Sequence, residues 1–296
     1  MAVRPPPARD EEIDLARVRT TYGRFVQAAG WDPLEDILAR TEQARIGQRH
    51  AGPRLPDAPP GRALVAGLGR LGSWVGLFLA HLGIPLVLLD RDVVERHNLE
   101  AGNCVFRSSD VGSPKVVAMK NLLAQQAPGV SVEVYQGDIT LMPEDQLRAL
   151  GELVRVILAL VDEGQALFNI NDLFCQRLAV IYAAGHRGAR TGDVGISRPG
   201  GACFRCLLNI DSPAQVQTLS GEATHGIDIV SIAQVCVRVA LVLLGDQRLG
   251  NLREVLDPAV NFIYIQNRRS ETNPGGFAPR FLRIARRRNC PVCGAV

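Results

Sequence analysis

Ala63-Leu-Val-Ala-Gly67-Leu-Gly69-Arg-Leu-Gly72-Ser-Trp-Val-Gly-Leu-Phe-Leu-Ala80 is the stretch on which the fold turns. A short apolar run ends in glycines, as a buried parallel strand does at a tight turn. Beyond the turn, Leu71, Trp74, Val75, Phe78, Leu79 and Leu82 trace one helical face. Strand, Gly-x-Gly-x-x-Gly loop and helix follow in the order that a phosphate-binding turn needs. Gly67 permits the turn, Gly69 lets backbone approach an anion, and Gly72 lets the helix pack closely on the strand. The helix N-terminus adds free N–H groups and a positive dipole end. Leu86-Val-Leu-Leu89 reads as a second buried strand closed by Asp90, where a carboxylate would meet ribose hydroxyls. The loop alone does not separate NAD from ATP, and by itself it favours a dehydrogenase.

Working outward, residues 115–126 read as a helix stopped by Pro128-Gly129. Val132 and Val134 mark a third strand. Val156–Val161 is a fourth, ending in Asp162, and Ala179–Tyr182 is a fifth. Ile227–Leu244 is a long apolar helix, expected in the core or at a dimer interface. Phe262–Ile265 and Arg280–Ile284 are late strands. Strands alternating with helices predict an α/β fold of Rossmann-like type, with a doubly wound, mainly parallel sheet. Residues 1–12 are rich in Pro and charge and read as a disordered tail. Residues 13–61 read as a helical N-terminal segment followed by a Pro-rich linker. The remainder, 62–296, reads as the main domain.

The 296 residues are 47% hydrophobic and 21% charged, as in ordinary globular chains. A net charge of +3 is too small to argue for nucleic acid or a membrane surface. No run of 18 apolar residues is present, so no membrane span is expected. The first residues lack the apolar core of a secretory signal, which points to the cytoplasm. Thiols stay reduced there, so spaced cysteines favour metal over disulfides. Cys203-Phe-Arg-Cys206 and Cys290-Pro-Val-Cys293 each offer two thiolates on a tight turn, the bite that tetrahedral zinc needs. Such a zinc would be structural and would staple a C-terminal extension to the domain. Cys175 and Cys236 read as core residues in helices, and Cys104 lies in a polar loop.

Several motifs occur in order: Gly67-Leu-Gly69-Arg-Leu-Gly72, Leu89-Asp90-Arg91-Asp92-Val93-Val94, His97-Asn98-Leu99, Val111-Gly-Ser-Pro-Lys115, Asp162, Pro199-Gly-Gly-Ala-Cys203-Phe-Arg-Cys206-Leu207, and Cys290-Pro-Val-Cys293-Gly294. As an ordered set they resemble the ThiF and MoeB family, relatives of the ubiquitin-activating enzymes, over about residues 62–296. The resemblance implies ATP and Mg²⁺ as cofactors. It implies adenylation of the C-terminal Gly-Gly carboxylate of a small ubiquitin-like or sulfur-carrier protein. By position it places Gly67, Gly69, Gly72, Asp90 and Asp92 at the nucleotide, with Asp90 on the ribose. Asn98 and Lys115 fall on the phosphates and Asp162 on Mg²⁺, so Asp162, Lys115 and Asn98 become the catalytic candidates. The chemistry suits these residue types, because negative charge accumulates as a carboxylate attacks the α-phosphate and pyrophosphate leaves. A homodimer is also implied, with Arg24 of Thr21-Tyr-Gly-Arg24-Phe25 a candidate to reach across it.

The sequence departs from the family pattern at informative places. The family carries Asn-Leu-x-Arg-Gln, whereas this chain has Asn98-Leu99-Glu100-Ala101-Gly102. Arg70, Arg96 and Arg107 are candidates to replace the lost cation. Leu167 and Phe168 lie where a further arginine is expected. These departures leave a catalytically degenerate module, binding nucleotide or a ubiquitin-like partner without turnover, as an alternative beside the NAD(P)-dependent dehydrogenase. The crossover stretch Leu207–Gly226 has no cysteine, so no thioester is expected there.

Overall fold

Gly67 ends the first strand with φ +93°, a backbone conformation that a side chain resists, and Arg70 starts the helix three residues on. That junction orders the elements around it. The computed structural model describes residues 61–294 apart from 103, 187, 217–225, 247–255, 270–275 and 277. The expectations for the tail, the N-terminal helical segment and Arg24 fall outside the described residues, as does much of the crossover stretch. Everything described belongs to the compact unit Leu55–Val296.

Eight strands form one sheet: β1 (Ala63–Ala66), β2 (Leu86–Asp90), β3 (Val132–Gln136), β4 (Val156–Ala159), β5 (Ala179–His186), β6 (Thr191–Ser197), β7 (Phe262–Gln266) and β8 (Ala278–Leu282). Their spatial order is β3-β2-β1-β4-β5-β6-β7-β8. The pairings from β3 to β5 are parallel, and those from β5 through β8 are antiparallel. The sheet is therefore mixed, and its antiparallel half is larger than the sequence pattern foretells. Among the described residues six α-helices accompany it: α1 (Arg70–His81), α2 (Lys115–Gln126), α3 (Glu144–Glu152), α4 (Gly164–Phe174), α5 (Phe204–Leu208) and α6 (Gly226–Leu244).

Side chains alternate across β1. Ala63 and Val65 join the core beneath α1, α2 and α6, whereas Leu64 and Ala66 join the core beneath α3 and α4. Helices thus cover both faces of the parallel half, which explains why its strands are apolar throughout. Helix α6 is a core element: Ile229, Ile232, Ala233, Cys236, Val237 and Ala240 are buried in the cluster that also holds α1. By length and composition alone α6 would suffice to cross a membrane, with 56% of the window buried inside the protein. Interruption by Asp228, Gln234 and Arg238 hides this length from a search for an unbroken apolar run. Several boundaries shift from the sequence reading, and β5 runs on from Tyr182 to His186. β4 stops at Ala159 rather than Val161, and β8 spans Ala278–Leu282 rather than Arg280–Ile284.

Candidate nucleotide site and cysteine cluster

The strand order reverses between β1 and β4, and the glycine loop sits at that switch point. Crevices beyond the carboxyl ends of strands at such a point are where ligands bind in open α/β sheets. Here the loop is fixed from both sides. The Gly67 N–H donates to the Leu89 carbonyl at 2.8 Å, and the Leu160 N–H donates to the Ala66 carbonyl at 2.8 Å. A methyl at Gly72 would overlap the Gly67 carbonyl, whereas one at Gly69 would meet nothing within 4 Å. Gly69 thus faces open space. Helix α1 follows Gly69, which has no side chain to cap it.

Asp90 closes β2 and is buried. Its carboxylate accepts from the Leu68 N–H at 2.5 Å and from the Asp92 N–H at 2.7 Å. Burial pushes its carboxyl above the usual range, partly offset by these two bonds and by the charge of Lys115. Lys115 is the first residue of α2 and is itself buried. Its ammonium bonds Asp92 Oδ2 at 2.8 Å, and its N–H donates to the Asp92 carbonyl. A buried cation at a helix N-terminus opposes the dipole, so its placement is costly without an anion to meet it. Asn98 is buried on the 3₁₀ turn Arg96–Gly102. Its Oδ1 accepts from the Glu95 N–H at 2.8 Å, and its Nδ2 lies 3.0 Å from His97 Nε2. Asp162 lies just past β4 and is exposed. Asp90, Asp92 and Lys115 are thus directly connected, whereas Asp162 stands apart at the neighbouring strand end.

One link escaped the sequence reading, and one expected polar-loop residue, Cys104, proves buried. Arg91 pairs with Asp138 and with Glu163, each at 2.7 Å, and so links the loops beyond β2, β3 and β4 around the crevice. Its position between Asp90 and Asp92 was the available signal. Cys104 is buried beside Ser73, within the field of Lys115 and Arg70. Burial pushes its thiol up, with a partial opposing pull from Ser73, Lys115 and Arg70.

At the other end of the domain, Cys203, Cys206, Cys290 and Cys293 are buried, and their sulfurs all lie within 4.8 Å of one another. The Cys203–Cys290 and Cys206–Cys293 separations are 3.6 and 3.4 Å. A tetrahedron with Zn–S bonds of about 2.3 Å has edges of about 3.8 Å, so the four thiols are grouped near the spacing that ion needs. The Arg287 N–H points at Cys206 Sγ from 3.3 Å, a contact that stabilises a thiolate. Cys175 follows α4 rather than lying inside it, and is packed in the same cluster with Cys203. The expectation that it is a core residue holds, but the core it joins is the thiol cluster.

A mixed α/β sheet with a glycine turn at its switch point, a buried lysine beside it and a four-cysteine cluster defines the class. Residues 58–287 match the ThiF family, and the chain belongs to it. Among curated proteins it is 27% identical over 235 residues to the SAMP-activating enzyme E1 of Haloferax volcanii, spanning 79% of this chain and 80% of that protein. It is 28% identical over 190 residues to ubiquitin-like modifier-activating enzyme 5 of Caenorhabditis elegans, covering 60% of this chain but only 44% of the nematode protein. Among solved structures, E. coli MccB with ATP superposes with a TM-score of 0.61 at 22% identity, covering 79% of this chain and 67% of that one. PaaA superposes with a TM-score of 0.54 at 17% identity, covering 94% and 92%. Both structural matches establish the fold.

Proposed function

We propose that the chain binds ATP in the β1–β4 crevice and adenylates the C-terminal carboxylate of a small ubiquitin-like or sulfur-carrier protein, or of a peptide. The observation that carries this reading is Lys115. It is a buried ammonium at the start of α2, tied only to a half-exposed Asp92, beside a glycine turn with open space at Gly69. An incoming triphosphate can take up this ammonium, now held by Asp92, and the free approach at Gly69. The carboxylate oxygen attacks the α-phosphorus, the bond to the bridging oxygen breaks, and pyrophosphate leaves with the electron pair. Lys115 and the N–H groups at the start of α1 stabilise the charge that develops, and Asp90 orients the ribose. Asn98 is the further polar group expected at the phosphates. Mg²⁺, when bound, would be held by Asp162 and would neutralise phosphate charge. Zinc on Cys203, Cys206, Cys290 and Cys293 would have every position filled and so a structural role.

The named activities of the Haloferax and nematode relatives support this reading, as does the ATP complex of MccB. A hydride-transfer enzyme has no use for Lys115 and Asp162 at these positions. Ala101 and Gly102, in place of the family's arginine and glutamine, favour a second reading in which nucleotide is bound without turnover. Titration calorimetry separates nucleotide classes directly. ATP with Mg²⁺ is expected to bind and NAD not to; tight NAD binding with no ATP binding would reject the proposal. We further propose a cytoplasmic homodimer, to be checked by sedimentation.

A further inference from the structure

From Ala278 to Arg288 the chain reads Ala-Pro-Arg-Phe-Leu-Arg-Ile-Ala-Arg-Arg-Arg, with five arginines and no acid. The structure makes this run a fixed surface. β8 is the last strand of the sheet, and its outer edge pairs with nothing among the described residues. Phe281 and Leu282 are 55% and 45% exposed, flanking this edge from opposite faces of the sheet. Edge strands are ordinarily blunted by charge or covered, so exposed large apolar groups there mark a contact surface. Past β8, Asn261 holds Ile284 by two bonds, accepting from its N–H at 2.7 Å and donating to its carbonyl at 2.8 Å. The Arg287 N–H then meets Cys206, and Cys290 and Cys293 join the thiol cluster. The strap is therefore anchored at both ends, which lowers the ordering cost of binding. Arg283 is neutralised by Asp257 and Arg287 by Asp211. Arg286 and Arg288 are exposed and form no ion pair among the described residues.

We infer that β8 and the strap 283–288 form a docking surface for an acidic face of the partner protein, with apolar residues covering Phe281 and Leu282 and carboxylates meeting Arg286 and Arg288. This rests on the proposed function, since that partner is the protein whose C-terminus is activated. Complementary charge is what the surface selects for, because apolar area gives adhesion and the unpaired arginines give orientation. Nucleic acid fits less well: Asp257 and Asp211 interrupt the cationic strip, and Phe281 and Leu282 occupy its middle. The geometry also sets a reach. Four strand spacings of about 4.8 Å separate β4 from β8, about 19 Å, which an extended tail spans in about six residues at about 3.3 Å each. A partner seated on β8 thus needs a free C-terminal tail of at least that length.

The test uses the full chain and a fluorescein-labelled twelve-residue peptide alternating glutamate and leucine, read by anisotropy. A lysine–leucine peptide and a single-stranded oligonucleotide of equal length serve as comparisons. The acidic peptide is expected to bind best, more weakly as salt rises, and the double variant Arg286→Glu/Arg288→Glu to lose at least about tenfold in affinity. Phe281→Ala is expected to weaken binding at unchanged salt dependence. Both variants alter exposed side chains and keep the wild-type unfolding temperature and ATP affinity. Equal peptide binding by the double variant overturns the inference, as does tighter binding of the oligonucleotide. Peptide binding needs no turnover, so loss of the adenylation reading would show separately, as absent ATP binding in protein that still holds the peptide.

Discussion

Gly72 and Gly69 lie three residues apart and respond in opposite ways to one added methyl. Gly72→Ala drives a Cβ into the Gly67 carbonyl, so α1 must shift off β1. Overpacking of this kind costs about 3 kcal/mol, to be read as a lowered denaturant midpoint. Gly69→Ala meets open space and is expected to hold stability within about 0.5 kcal/mol while weakening ATP binding, because the methyl occupies the phosphate's approach. Lys115→Met keeps the apolar stem and removes the charge. It is expected to fold and to slow adenylation by on the order of a hundredfold or more. Cys104 stays a thiol at neutral pH because its burial outweighs the cations near it. It is expected to resist iodoacetamide in folded protein and to form no thioester. A covalent carrier adduct lost on adding thiol and abolished by Cys104→Ala would contradict this. Asp90 and Lys115 were legible in the sequence because their motifs fix them to a strand end and a helix start. Their direct link through Asp92 was not, since it depends on how two loops fold back on each other.

At the scale of elements, the parallel strands were legible because burial on both faces forces apolar runs. β6 was not. Thr191-Gly-Asp-Val-Gly-Ile-Ser lacks an apolar run, yet Gly192 is small to admit Ile232 of α6, and a Cβ at Gly195 would lie 3.0 Å from Leu207. Tertiary packing on both faces selects the glycines that make the strand illegible. The strand-end loops carry a pH signature. The Thr140 hydroxyl and then Arg91 hold the Asp138 carboxyl below its ordinary 3.8. A depressed acid contributes stability that is present above the ordinary value and lost as pH falls through the lowered one. Asp138→Asn should therefore lower the unfolding temperature at about pH 7, with the difference shrinking as pH falls below the ordinary carboxylate range. The cysteine cluster binds elements that are far apart in sequence. Metal removal by a strong chelator, or Cys290→Ser, is expected to loosen residues 283–294 in hydrogen exchange while β1–β5 stay protected. Equal protection with and without metal would argue against a structural zinc.

Across the whole molecule, the parallel half presents the crevice, and the antiparallel half extends the sheet to the basic edge and the cysteine cluster. That division was only partly legible. The pattern of strands and helices fixed the first half, whereas β6 turns back on β5 within a few residues and meets β7 only after a long stretch of chain. The CxxC pairs were read as one site across that gap because tetrahedral thiolate chemistry demands four ligands, and the structure brings the four together. The central claim is that this assembly activates a carboxylate with ATP. The most direct measurement is exchange of labelled pyrophosphate into ATP by the purified chain, with a small carrier protein ending in Gly-Gly from the same genome. Exchange that requires the carrier, is lost when its terminal glycine is deleted, and collapses in Lys115→Met is the expected result. ATP binding without carrier-dependent exchange for any such protein would contradict the claim and leave a nucleotide-binding module in its place.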